Sequence, residues 1–299
     1  MNTKSKYLIS IVGPTAVGKT ALAIKVAKHF HTEIISADSR QFFSEMNIGT
    51  AKPSSEELAQ VKHHFIGNVS IKTLYSAGDF ERDAINKLNE LFLQKDIVAI
   101  AGGSGLYIKS VIEGLDILPK ADEKLRTELQ IIFDENGIEP LREILEKLAP
   151  EKFYKMDNRN TQRVMRAIEI FSQPKIEIEA KIVRNFIPIK IGLNLDRTIL
   201  YERINKRVDQ MFTDGLLDEA KYLYQYRNLN ALQTVGYSEL FDFFDGKHSL
   251  EKATELIKQH TRNFAKRQLT WFKKENEMNW FEPTDVEGII NFIAERVSI

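Results

Sequence analysis

The chain has no cysteine, and its 42 basic side chains are matched by 42 acidic ones. The first absence excludes disulfides and cysteine-ligated zinc, and it fits a reducing compartment. The second removes any global attraction to nucleic acid, so a polyanion would have to be met by a local patch. No stretch approaches the ~18 consecutive apolar residues of a membrane-spanning helix. The opening "MNTKSKYLISIVGP" carries an apolar run too short for a secretion signal. A soluble, cytoplasmic protein with no membrane partner is expected. No internal repeat and no low-complexity linker is visible. What is present is an ordinary globular composition, 43% hydrophobic and 28% charged, over 299 residues, enough for about two domains.

The first third alternates strand-like apolar runs ("YLISIV", "TEIISA", "DIVAIAG") with helical patterns ("ALAIKVAKHF", "DFERDAINKLNELFLQK"). That alternation predicts a parallel sheet covered on both faces. From Ala121 to Lys181 only helical periodicity is found. One further strand candidate follows, "IPIKIGLNL" from Ile187 to Leu195, and the last third is helical. The expected architecture is α/β. A P-loop NTPase-like parallel sheet occupies residues 1–120 and 185–299 together with C-terminal helices. A helical insertion occupies residues 121–184.

Gly13-Pro14-Thr15-Ala16-Val17-Gly18-Lys19-Thr20 matches G-x-x-x-x-G-K-[ST] in full, with a strand before it and a helix after it. Glycines let backbone N–H groups converge on an anion, and the new helix adds its positive end. Lys19 supplies a point charge and Thr20 a hydroxyl for Mg²⁺. The motif identifies a phosphate chain and not a nucleotide. A small-molecule kinase, a nucleic-acid motor or switch, and a transferase that discards its phosphates all remain open.

Three features discriminate between them. Asp38, in "ISADSRQFF", falls at the end of the second strand, on the sheet edge where ligands of open α/β sheets bind. It could hold Mg²⁺, accept a proton, or merely cap a following turn. Ser104, in "AIAGGSGLYIKS", lies in a second glycine turn on the same edge and could bond a ligand or cap a helix. The adjacent His63 and His64 would point to opposite faces of a strand, so polar packing is a better reading than a metal site. Basic helices form the third feature. "RNTQRVMRAIEIF" places Arg159, Arg163 and Arg166 against a stripe of Val164, Ile168 and Phe171. "YERINKRVDQMF" sets Arg203 and Arg207 one turn apart. Ile257 to Lys274 holds six Lys or Arg and no acid, interleaved with Phe264, Trp271 and Phe272. Such a run reads as RNA-facing or as a solvated helix.

Taken in order, "GPTAVGKT", "SADSRQ", "IGTAKP", "HH", "YSAGDF", "GGSGLY", "NTQRVMRAIEI", "VGYSEL" and "AKRQLTWF" resemble the tRNA dimethylallyltransferases, or tRNA isopentenyltransferases, over nearly the whole chain. The resemblance implies transfer of a dimethylallyl group from dimethylallyl diphosphate to N6 of adenosine 37 in tRNA, with release of diphosphate. By motif, Gly13 to Thr20 would hold the diphosphate and Thr20 would assist Mg²⁺. Asp38 would be the general base. Asp38, Ser39, Arg40 and Gln41 would contact the target base and its neighbours. Ser104 would stand where the family has threonine, near base and diphosphate. Arg207 would help neutralise the leaving group. Arg126 and the run Gln162, Arg163, Val164, Met165 and Arg166 would touch the anticodon stem-loop. A monomer is expected. Three departures are visible: Ser104 for threonine, Phe43 where tyrosine is common, and "HHFIG" where "HHLID" is common. The rival, a P-loop small-molecule kinase, would need an adenine pocket and an acceptor site, and the chain signals neither.

Overall fold

The structure, a computed structural model, describes residues 5–116, 122–173 and 182–297. It opens with β1 (Tyr7–Val12), α1 (Lys19–His29), β2 (Ile34–Ser36), α2 (Ser55–Gln60), β3 (His63–His64), α3 (Ala77–Phe92), β4 (Ile97–Gly102) and α4 (Gly105–Ile112). Helices α5 (Glu123–Asn136), α6 (Glu139–Leu148), α7 (Pro150–Lys155) and α8 (Thr161–Phe171) follow. The chain then returns through β5 (Ile187–Leu193), α9 (Arg197–Thr213), α10 (Leu216–Leu223), α11 (Tyr237–Phe244), α12 (Leu250–Phe272), β6 (Asn279–Phe281) and α13 (Val286–Arg296).

The strands form one parallel sheet in the order β3-β2-β4-β1-β5-β6. All six residues of β1 are buried, as a strand covered on both faces requires. Alternation still sorts them. Ile9 and Ile11 pack with Leu22, Val26 and Ile289 on one face, whereas Leu8 and Val12 pack with Phe80, Ala84 and Leu88 of α3 on the other. Helix α3 is fixed at its start by a capping box, Ser76 with Asp79. Its buried Phe80, Ile85, Leu88 and Leu91 each contribute roughly 1.5–3 kcal/mol by leaving water. A third apolar cluster joins Phe42, Phe43 and Met46 to the C-terminal helices through Tyr237, Leu240 and Ile257.

Four strands fall where the apolar runs place them. The two short edge strands, β3 and β6, carry no periodic signal in two and three residues. The adjacent histidines do lie on a strand. His64 Nε2 pairs with Glu33 at 2.7 Å, and His63 Nδ1 meets the Val61 carbonyl at 2.8 Å.

The chain divides into two compact units, residues 1–115 with 183–299, and residues 116–182. The boundary expected at 120/121 lies outside the described residues, as does the far end of the helical stretch expected to run to Lys181. Where the second division falls has a visible cause. The Arg184 guanidinium ion-pairs with the buried Glu81 of α3 and donates to the Ser110 carbonyl at 2.8 Å. The Leu115 N–H reaches the same Glu81 carboxylate at 3.2 Å.

The smaller unit has its own core of Leu129, Leu141, Leu145, Phe153, Val164, Met165 and Ile168. Phe171, expected on the apolar stripe of α8, is 43% exposed. The stripe ends one turn earlier.

Candidate active site

The phosphate loop is built by β1 stopping at Val12 and α1 starting at Lys19. Gly18 closes the turn at φ 109°, a conformation open to glycine. Ala16 sits at φ 64° without that freedom, a local strain of the kind that accumulates at binding sites. Val17 is fully buried in the sheet core, which pins the loop from below. Lys19 Nζ folds back on the carbonyls of Gly13 and Pro14 at 3.0 and 2.8 Å. Burial, and next the Arg207 charge, push its pKa down to about 7, against the opposing pull of Asp38.

Two arginines of α9 reach the loop. Arg207 donates to Thr15 Oγ1 at 3.2 Å, and Arg203, one turn earlier, donates to the Val17 carbonyl at 3.3 Å. Burial lowers the Arg207 pKa, opposed by Glu57 and Asp38.

A cleft of about 920 Å³ opens above this loop at the carboxyl ends of the strands, where ligands of such sheets bind. Thr15, Lys19, Thr20, Asp38, Gln41 and Arg207 all line it. Asp38 Oδ1 accepts the N–H groups of Arg40 at 3.0 Å and Gln41 at 3.4 Å. That is a turn held by a carboxylate, and no helix begins there. Ser104 stands at the N-cap position of α4 but makes no capping bond. Its Oγ accepts the Ser39 N–H at 2.9 Å instead. Ser39, Arg40 and Ser104 therefore stand beside the cleft lining. Arg40 is half-buried, and burial lowers its pKa against the charges of Tyr107 and Asp38. Gln41 is tied to the Thr50 and Ala51 carbonyls at 3.2 and 2.9 Å.

Sequence reasoning missed two residues of this region. Glu219 of α10 accepts three consecutive N–H groups, those of Asn47, Ile48 and Gly49 at 2.9–3.0 Å, and the Tyr237 hydroxyl at 2.6 Å. It fixes the loop that forms one wall of the cleft. Gln268 of α12, 6% exposed, also lines the cleft. Its signal was present in the helical spacing of Ala265, Gln268 and Phe272, the buried stripe of the basic run.

That basic run is otherwise outward. Lys266, Arg267, Thr270, Trp271 and Lys274 line a surface groove of about 460 Å³ on the larger unit. Trp271 and Phe264 are each 38% exposed. Cations beside exposed aromatic faces suit phosphates and bases.

In the smaller unit, Gln162 and Arg163 are exposed and Arg166 is half-buried, but Val164 and Met165 are buried in its core. Of this stretch, the side chains of Gln162, Arg163 and Arg166 alone reach solvent. Arg126 and Arg166 share the buried carboxylate of Glu169, at 2.6 and 2.9 Å. Arg126 remains 42% exposed.

Fold and cleft together define a P-loop protein whose glycine turn lies beside a carboxylate and two arginines. The chain belongs to the IPP transferase family, whose profile matches residues 41–275. It is 52% identical to the tRNA dimethylallyltransferase of Christiangramia forsetii, over 98% of this chain and 99% of that one. It is 50% identical to the tRNA dimethylallyltransferase of Flavobacterium johnsoniae, over 98% of each. Among solved structures, the tRNA isopentenylpyrophosphate transferase of Bacillus halodurans matches at TM-score 0.74 and 37% identity, covering 98% of this chain and 97% of that chain. A eukaryotic dimethylallyltransferase acting on tRNA matches at TM-score 0.77 and 26% identity, covering 98% and 77%.

Proposed function

We propose that this enzyme transfers a dimethylallyl group from dimethylallyl diphosphate to N6 of adenosine 37 in tRNA and releases diphosphate. The observation that carries the reading is the joint placement of Lys19, Arg207 and Asp38 around one cleft, in a chain half identical to tRNA dimethylallyltransferases. It acts as a cytoplasmic monomer on this reading. Among the described residues no helix is long and apolar enough to cross a membrane.

An allylic carbon ionises readily once its diphosphate leaves, so catalysis stabilises charge on the leaving group. Loop N–H groups, Lys19 and Arg207 do this as donors fixed before the reaction. The N6 amine is a weak nucleophile because its lone pair is delocalised into the ring. It improves when its proton is removed as the C–N bond forms, and Asp38 takes that proton. The adenosine must leave its stack to reach the cleft, at a cost of a few kcal/mol. Ser104 and the 38–41 turn receive it. The grooved face of α12 in the larger unit meets RNA by phosphates and shape, and within the smaller unit the arginines of α5 and α8 are separate candidates for such contacts.

The residues fit Mg²⁺. The Thr20 hydroxyl lines the cleft together with Asp38, and both are hard oxygen donors. No group of three or more His, Cys, Asp or Glu that could hold a metal occurs among the described residues. Mg²⁺ commonly takes few protein ligands and completes its shell with phosphate oxygens and water. Thr20 would hold the ion, which would supply positive charge to the diphosphate.

The test is incubation with dimethylallyl diphosphate and an anticodon stem-loop RNA, followed by mass spectrometry of the nucleosides. One added C5H8 unit on the adenosine at position 37 is expected. Absence of transfer, with tight ATP binding in its place, would overturn the reading in favour of a kinase.

A further inference from the structure

We propose that Gln268 is a positioning residue that locks the diphosphate loop to the loop carrying Ser104, so that the donor carbon and the accepting amine are held in register. This rests on the function proposed above. Gln268 Oε1 accepts the Thr15 N–H at 2.8 Å, and Nε2 donates to the Gly103 carbonyl at 2.9 Å. One primary amide thus uses its acceptor on one loop and its donor on the other. A Cβ at Gly103 would fall 2.2 Å from Nε2, so only glycine admits the amide so closely.

Each contact continues into the reaction centre. Thr15 Oγ1 is held by Arg207 on the leaving-group side. On the acceptor side, Ser104 follows Gly103 and accepts the N–H of Ser39, the neighbour of Asp38. The strand ladder between β1 and β4 ends at Val12 with Gly102. Beyond it, the Gln268 side chain bridges the two loops. It sits on the buried stripe of the helix whose outer face carries Lys266 and Arg267. A rigid element therefore spans from a basic surface to the reacting groups. Displacement of reacting groups by ~1 Å costs on the order of 10²-fold in rate.

The experiment compares Gln268→Met, which keeps length and packing but neither bond, with Gln268→Asn, which keeps the amide but is one methylene short. Single-turnover rates are measured at saturating dimethylallyl diphosphate and anticodon stem-loop RNA, with the Kd of each and the melting temperature. The expected result is a rate lower by about 10–100-fold with both Kd values within about threefold of wild type. A melting temperature that falls while the saturated rate stays within twofold would make Gln268 a structural residue only and overturn the proposal. So would a donor Kd raised tenfold with an unchanged saturated rate. If Gln268→Met does not fold, the same criteria are applied to Gln268→Asn. Failure of the wild-type enzyme to prenylate the RNA would overturn the function and not this assignment. Wild-type turnover with an equally fast variant would overturn this assignment alone.

Discussion

Asp38 shows how one carboxylate can carry both a structural and a chemical duty. Its Oδ1 holds the turn through Arg40 and Gln41, and an asparagine oxygen can accept the same bonds. Asp38→Asn should therefore fold normally and bind RNA and donor within a few-fold of wild type, while its single-turnover rate falls at least ~10²-fold. A loss seen mainly in donor affinity, and relieved by excess Mg²⁺, would make it a metal ligand instead. Lys19 leads to a second expectation. With its pKa near 7 in the free enzyme, the cation is present below that pH and lost above it, whereas a bound diphosphate holds the proton. Donor affinity should fall as pH rises through about 7, by up to tenfold per unit. Titration of Lys19→Met, by calorimetry, should show weaker binding without that slope. Glu219 carried no signal in the sequence, and Gln268 only its helical spacing with Ala265 and Phe272, which names neither of its partners. Gln268 meets a loop 253 residues distant, and its neighbours Lys266, Arg267 and Trp271 make it look like part of a solvated face. Val164 was legible as part of the apolar stripe of α8, whereas the burial of Met165 was not, because it lies off the i, i+4 spacing of Val164 and Ile168.

Among the elements, β1, β2 and β4 were legible because strands covered on both faces are predominantly apolar, and β5 by the alternation of Ile187, Ile189, Ile191 and Leu193. Strands β3 and β6 were not, since two and three residues are too few to show a period. The loop at residues 47–51 belongs to the same category. Its backbone is anchored by Glu219, and its sequence "NIGTA" says nothing of that partner. Glu219→Ala leaves three N–H groups and a tyrosine hydroxyl without their acceptor. Destabilisation of about 1–3 kcal/mol is expected by denaturant melts. Helix α12 makes a different claim. RNA binding should weaken steeply with salt despite zero net charge. Replacing Lys266 and Arg267 together by alanine should make the log–log slope shallower by about two units at most. An unchanged slope would move the RNA surface elsewhere.

At the scale of the whole molecule, neutrality conceals segregation. The 42 charges of each sign leave one helix face free of acid between Ile257 and Lys274, so the sum is a poor guide to the partner. The larger unit holds every residue of the cleft. Its chain leaves after Leu115 and re-enters at Val183, and both crossings are tied to Glu81, one through the Leu115 N–H and the other through Arg184. That arrangement makes the intervening segment a cassette with its two leads soldered to one post. Evolution, or an engineer, can lengthen, trim or exchange what lies between the leads without rethreading the sheet.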